Sequence, residues 1–185
     1  IELFEKAINS PVGENNDYDA KRYMEVLKLV REKSNWDASP KLNIHRGVAA
    51  YYCHNSYVAH VVDLKLKNEQ PVFDKIYSAV DCGIVINKDA AKNMVEGAIT
   101  DGLGNDMFGK MTFKDGIPQK SNFHNYKMIR INEAPKDMEV HFVENGENPT
   151  GLGEPPFPPI FAAFTNAFSR AKNKRFYNHP VLEEV

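Results

Sequence analysis

Cysteine is scarce in this chain. The two in 185 residues, Cys53 and Cys82, stand far apart and form no Cys-x-x-Cys pair, which leaves little ground for a zinc or dithiol motif. One disulfide is possible on paper, but both lie in apolar, strand-like segments, and buried free thiols are the favoured reading. Charge of one sign is lacking too: 23 basic residues face 25 acidic ones, interspersed, for a net charge of −2. Nothing in that balance suggests a basic groove for nucleic acid or a patch for an anionic membrane. No apolar run approaches the roughly 20 residues needed to span a bilayer. The first residue is Ile1 rather than Met, and no signal peptide is visible; the chain is expected either to be processed or to be cut from something longer. No Walker-type loop, His-Glu-x-x-His pattern or Ser-centred nucleophile elbow is present.

What remains is an ordinary globular composition, 42% hydrophobic and 26% charged, on a length suited to one domain. Pro11, Gly13 and an Asn/Asp cluster mark residues 1–20 as a loop or linker ahead of a domain over 21–185. Asp19 is placed to cap a helix in which Tyr23, Val26, Leu27, Val30 and the later Trp36 recur at helical spacing. Segments 47–53, 56–66 and 72–80 read as three successive strands of an antiparallel meander, with a turn at Asn68-Glu69-Gln70-Pro71. A helix follows over 89–108, its apolar stripe formed by Ala91, Met94, Val95, Ala98, Ile99 and Leu103. Gly97, Gly102 and Gly104 fall in the same run; each weakens a helix interior by about 1 kcal/mol relative to Ala, so close packing against a backbone or a ligand is implied. Asp115-Gly116 signals a hairpin, 138–144 a strand, and 160–172 a helix with Phe161, Phe164, Ala167 and Phe168 on one face. The expected class is α+β, a small mainly antiparallel sheet with helices packed on one face.

The chemically unusual stretch is Thr150-Gly151-Leu152-Gly153-Glu154-Pro155-Pro156. Its glycines permit close approach, and its prolines remove two donors and restrict the residue before them. A carboxylate on so stiff a tether suits a preorganised base, and a poorly solvated carboxylate is the better proton acceptor. The segment equally suits a surface Glu in a Pro-rich turn that introduces a helix, and by itself it favours that description. The histidines carry less: His45, His54 and His60 are irregularly spaced for a metal pair, and alternating strand positions place such residues on a solvated face. No metal-ligating residue is assigned. Asn122-Phe123-His124-Asn125-Tyr126 reads as a ligand contact or, more commonly, as a loop packed by its own rings.

Taken together, "AVDCGIVINKDAAKNMVEGAITDGLG" (79–104), "GIPQKSNFHNY" (116–126), "EVHFVE" (139–144) and "PTGLGEPPFPPIFAAFTNAF" (149–168) resemble, in order and spacing, the molybdopterin-binding large subunits of the xanthine dehydrogenase/aldehyde oxidase family. "SNFHNY" and "RGVAAYYCHNSYVAHV" bring the chain nearest to the isoquinoline oxidoreductase beta-subunit type. The resemblance runs from about residue 20 to residue 180, and Gly-Glu-Pro-Pro is its most specific part. It implies the C-terminal part of an oxidoreductase that hydroxylates an aldehyde or N-heterocycle at an electron-poor carbon with water-derived oxygen. Glu154 takes the place of the family's catalytic base, Gly153 that of the glycine whose backbone approaches the cofactor, with Gly151 and Thr150 near the pterin.

The implied cofactor is molybdenum–molybdopterin, in the cytosine dinucleotide form of bacterial relatives. The implied partners are the upstream part of the same large subunit, a small iron–sulfur subunit and a small-molecule substrate. Two positions depart from the pattern: Met94 stands where the family often has Gln, and Lys88 where it has Pro. Because much of the pocket would come from upstream, the 185 residues alone are expected not to turn over. A non-catalytic, stand-alone binding domain of the same fold is the alternative.

Overall fold

The computed structural model describes residues 1–12 and 17–184. Gly13, Asn15 and Asn16, part of the turn signal read near the N-terminus, lie outside the described residues. The rest of that segment is not all loop, because Glu2–Asn9 forms a helix, α1. Its Phe4 ring stacks on Tyr23 of the next helix at 4.5 Å between centroids, a tertiary contact that outweighs the nearby turn residues.

Helix α2, Ala20–Lys33, begins where the Asp19 carboxylate accepts from the backbone N–H groups of Lys21 and Arg22 at 2.8 and 3.2 Å, satisfying two of the otherwise orphaned donors. Trp36 lies beyond its end. Strands β1 (His45–Cys53), β2 (Ser56–Lys67) and β3 (Gln70–Asp81) form the expected antiparallel meander. Its connections, His54-Asn55 and Asn68-Glu69, have positive φ at both residues, as two-residue hairpin turns require. Helix α3 (Lys88–Phe108) leads through the small β4–β5 hairpin (Phe113–Lys114 and Ile117–Pro118) to β6 (Met138–Phe142), which joins β3 in parallel and completes a sheet in the order β1-β2-β3-β6. Helix α4 spans Phe157–Lys172, starting before the expected Ile160 because proline is tolerated in a first helical turn.

The α+β class and the mainly antiparallel sheet stand; the helices, expected on one face, cover both. Val26 and Val30 of α2 bury Tyr57, Ala59 and Val61 on one face, whereas α3 and α4 bury Val58, Val62, Leu64, Ile76 and Val80 on the other. Strand β2 is therefore apolar on both faces, which is why its first half reads as a continuous run rather than an alternation. Each of the Val, Leu and Ile side chains among them contributes roughly 1.5–3 kcal/mol by leaving water. Both cysteines are free thiols, Cys82 buried and Cys53 half-buried.

Close approaches set the helix positions. A Cβ on Gly47 in β1 would fall 2.2 Å from the Ala163 carbonyl oxygen, and one on Gly102 in α3 would fall 2.3 Å from Ile160 Cγ2, so α4 lies directly on both elements. Gly97, by contrast, has nothing within 4 Å of its missing Cβ. It faces an open cleft together with Met94 and Ala98, two residues expected in the core stripe.

Candidate functional site

The segment 150–156 leaves β6 and enters α4, and it is held along its length by the β1–β2 hairpin. Thr150 N–H donates to the Cys82 carbonyl at 3.0 Å, and Gly151 N–H donates to the His54 carbonyl at 3.2 Å. The Thr150 and Ser56 hydroxyl oxygens lie 2.7 Å apart, and Ser56 donates its own proton to the Gly151 carbonyl. Any side chain on Gly151 would stand 2.7 Å from His54 Cβ; glycine here permits the hairpin tip to touch the loop. Further along, Pro155 and Pro156 are buried, and His60 Nε2–H donates to the Pro156 carbonyl at 2.8 Å.

His60 departs from the reading that put strand histidines on a solvated face. It is fully buried beneath the start of α4, and desolvation lowers its pKa from 6.5 to about 4. A carbonyl can only accept, so Nε2 carries the proton; Nδ1 has no partner among the described residues. A second proton would place an uncompensated cation in the apolar core.

Glu154 stands at the mouth of a cleft of about 400 Å³ lined by Asn93, Met94, Gly97, Ala98, Asp101, Gly153, Glu154 and Phe157. One wall is the face of α3 that carries Asn93, Met94, Gly97, Ala98 and Asp101; the other is the Gly153-Glu154 turn. The poor solvation expected for Glu154 is not found among the described residues, since its side chain is 69% exposed. The Oε2 atom lies 2.9 Å from Nε2 of His54. Gly153 lines the cleft, with Met94 Cε 3.3 Å from its missing Cβ, so Met94 puts an apolar methyl into this wall. Thr150 and Gly151 do not line the cleft; their polar atoms are engaged by Ser56, Cys82 and His54.

The loop 121–126 lies outside this cleft. Asn125 Oδ1 accepts from the backbone N–H groups of Ser121 and Asn122 at 2.9 and 3.1 Å, while Phe123 is 70% exposed. The loop is organised by its asparagine, not packed by its own rings.

Residues 11–135 match the family described as "Molybdopterin cofactor-binding domain", a stretch that covers most of the chain and ends before the Glu154 segment. The chain belongs to the molybdopterin cofactor-binding domain family. Among its curated relatives, the isoquinoline 1-oxidoreductase subunit beta of Brevundimonas diminuta is 29% identical over 161 residues, 84% of this chain and 20% of that protein. The xanthine dehydrogenase molybdenum-binding subunit of Escherichia coli O157:H7 is 31% identical over 123 residues, 63% of this chain and 16% of that subunit. Quinoline 2-oxidoreductase from Pseudomonas putida 86 shares the fold, with a TM-score of 0.58 at 17% identity over 70% of this chain and 19% of its own. This molybdopterin-binding domain thus spans about a fifth or less of the length of the proteins it resembles.

The cleft can be tested for fit to a molybdopterin. Gly97 leaves open space at its missing Cβ, with Ala98 beside it and Gly153 on the facing wall packed against the Met94 methyl, so the α3 side admits close approach of a flat ring system. Two carboxylates, Asp101 and Glu154, line the cleft. Among the described residues, no group of three or more His, Cys, Asp or Glu is assembled to ligate a metal ion, and a cofactor that carries the metal on its own sulfurs asks for none. These residues fit one wall of such a site.

The sequence reading missed His54, Ser56 and His60. Each bonds a partner 94 to 100 positions away in the chain. The sole signal was composition, polar side chains bracketing a hairpin turn in an otherwise apolar ribbon.

Proposed function

We propose that this domain forms part of the active site of a molybdenum hydroxylase that oxidises an aldehyde or N-heterocycle at an electron-poor carbon, with Glu154 as general base. The observation that carries the reading is the placement of Glu154 at the rim of the cleft between α3 and the Gly153 turn, in a chain of this family. When bound, the molybdopterin supplies a Lewis acid and the oxygen-transfer and redox chemistry. Gly97, Ala98 and Gly153 form the wall it approaches. Glu154 accepts a proton through Oε1, the oxygen not shared with His54, and so raises the nucleophilicity of the attacking oxygen. Phe157, beside Glu154, adds an aromatic face to that end of the cleft. Thr150 and Gly151 serve the cofactor indirectly, by stapling the Glu154 segment to the β1–β2 hairpin.

The remaining walls come from the upstream part of a longer large subunit, electrons leave through a small iron–sulfur subunit, and the pterin is the cytosine dinucleotide form. The 185 residues by themselves do not turn over. The test is molybdenum and pterin content, by elemental and organic mass spectrometry, of the native polypeptide that carries this sequence. One molybdenum and one pterin dinucleotide per chain support the reading; a native polypeptide with neither metal nor pterin overturns it in favour of a non-catalytic binding domain.

A further inference from the structure

We infer that His54 is a positioning residue for Glu154, holding the carboxylate at the cleft through its Nε2–H; the inference rests on Glu154 being the base. A glutamate side chain 69% exposed is free to sample several rotamers, and a base that wanders loses the alignment on which its rate depends. In this chain it has a hydrogen-bond partner. Nε2 of His54 stands 2.9 Å from Oε2, occupying one carboxylate oxygen and leaving the other to take the proton.

The imidazole is itself fixed. His54 is the first residue of the two-residue turn between β1 and β2, with φ of +51° followed by +58° at Asn55. These left-handed conformations are held by the flanking Cys53–Ser56 pairing of the ladder. That tip is joined to the Glu154 loop by Gly151 N–H to the His54 carbonyl, by the Ser56 hydroxyl to the Gly151 carbonyl, and by the contact of Gly151 with His54 Cβ. Backbone and side chain of His54 thus reach the same loop at two points, Gly151 and Glu154. A surface ion pair between two freely moving side chains has no such scaffold. The donor is an imidazole, whose Nε2–H points along a single direction to the carboxylate oxygen.

The test compares, in the enzyme that contains this domain, wild type with His54→Leu, His54→Gln and Glu154→Gln. Losing a hydrogen bond to a charged group lowers the rate about 10- to 100-fold; that loss is expected in kcat for His54→Leu, with KM and molybdenum content little changed. His54→Gln, which retains a donor of similar reach, recovers most of it. An independent readout uses 15N-histidine labelling of the same enzyme, with the His54→Leu variant assigning the His54 ring. The His54 ring shows a protonated, hydrogen-bonded Nε2 in wild type, and that signature disappears in Glu154→Ala.

Full kcat in His54→Leu beside a dead Glu154→Gln overturns the positioning role and leaves the base standing. Full activity in Glu154→Gln overturns the base, and with it this inference. A His54 ring spectrum unchanged by Glu154→Ala refutes the contact itself.

Discussion

Consider the replacement of His60 by Gln, which retains a donor for the Pro156 carbonyl but cannot titrate. In the folded chain burial holds the imidazole pKa at about 4, against 6.5 when unfolded. Between those values the unfolded state binds more protons, so stability rises with pH there. The contribution is fully present above the unfolded value and is lost as pH falls toward the folded one. Applying the two pKa values between pH 8 and pH 5 gives a loss of about 2 kcal/mol. Other groups also respond to acid, among them Glu139, whose carboxyl is held low by Lys75. The difference between wild type and His60→Gln removes what they share. Urea unfolding followed by fluorescence of the single Trp36 measures both proteins at each pH. Wild type is expected to lose about 2 kcal/mol more than the variant on going from pH 8 to pH 5. Parallel pH profiles would refute the reasoning, since His60 would then titrate alike folded and unfolded.

Three further outcomes follow from the packing and the buried charges. Arg46 and Asp63, cross-strand partners joined by two bonds of 2.7 Å and nearly buried, make Arg46→Ala cost about 3–5 kcal/mol by leaving an unpaired carboxylate, measured by the same unfolding assay. Gly102→Ala is expected to destabilise the chain by about 1–3 kcal/mol through collision with Ile160, whereas Gly97→Ala, with open space at its Cβ, stabilises α3 by about 0.5–1 kcal/mol; thermal melts of the pair separate the two. Asp106 is fully buried against His179 and Thr165, and burial raises its pKa to about 6. His179→Ala should therefore cost more at pH 8, where the carboxyl is charged and needs its partner, than at pH 5, where it is largely neutral; an equal cost at both would contradict that.

Much of the fold is legible along the chain because the signals are local. Asp19 caps α2 as its position suggests, Asp115-Gly116 turns the small hairpin, and the three long strands carry β-branched and aromatic residues bounded by turn residues. What the sequence leaves open is set by tertiary packing. The parallel pairing of β6 with β3 depends on where α3 delivers the chain, and α1 forms because Phe4 finds Tyr23. The second helix-covered face is written in β2, where Tyr57, Ala59 and Val61 are as apolar as Val58 and Val62, yet a period-two reading assigns only one of those sets to a core.

The candidate site divides in the same way. Glu154 and Gly153 stand out in sequence because Gly-Glu-Pro-Pro is chemically unusual. The three glycines of α3 imply close packing without saying against what, and the structure separates them: Gly102 meets α4, Gly97 the cleft. His54 and His60 are ordinary strand-region histidines until the fold brings segment 150–156 beneath and beside them. No spacing rule reports a contact between positions 54 and 154.

The most direct test of the central claim is turnover of Glu154→Gln in the molybdenum-loaded enzyme that contains this domain, with metal and pterin content measured on the same sample. Loss of a positioned general base costs about 10²–10⁴-fold in rate, and that fall in kcat with unchanged cofactor loading is the predicted result. Wild-type turnover from fully loaded Glu154→Gln would contradict the account.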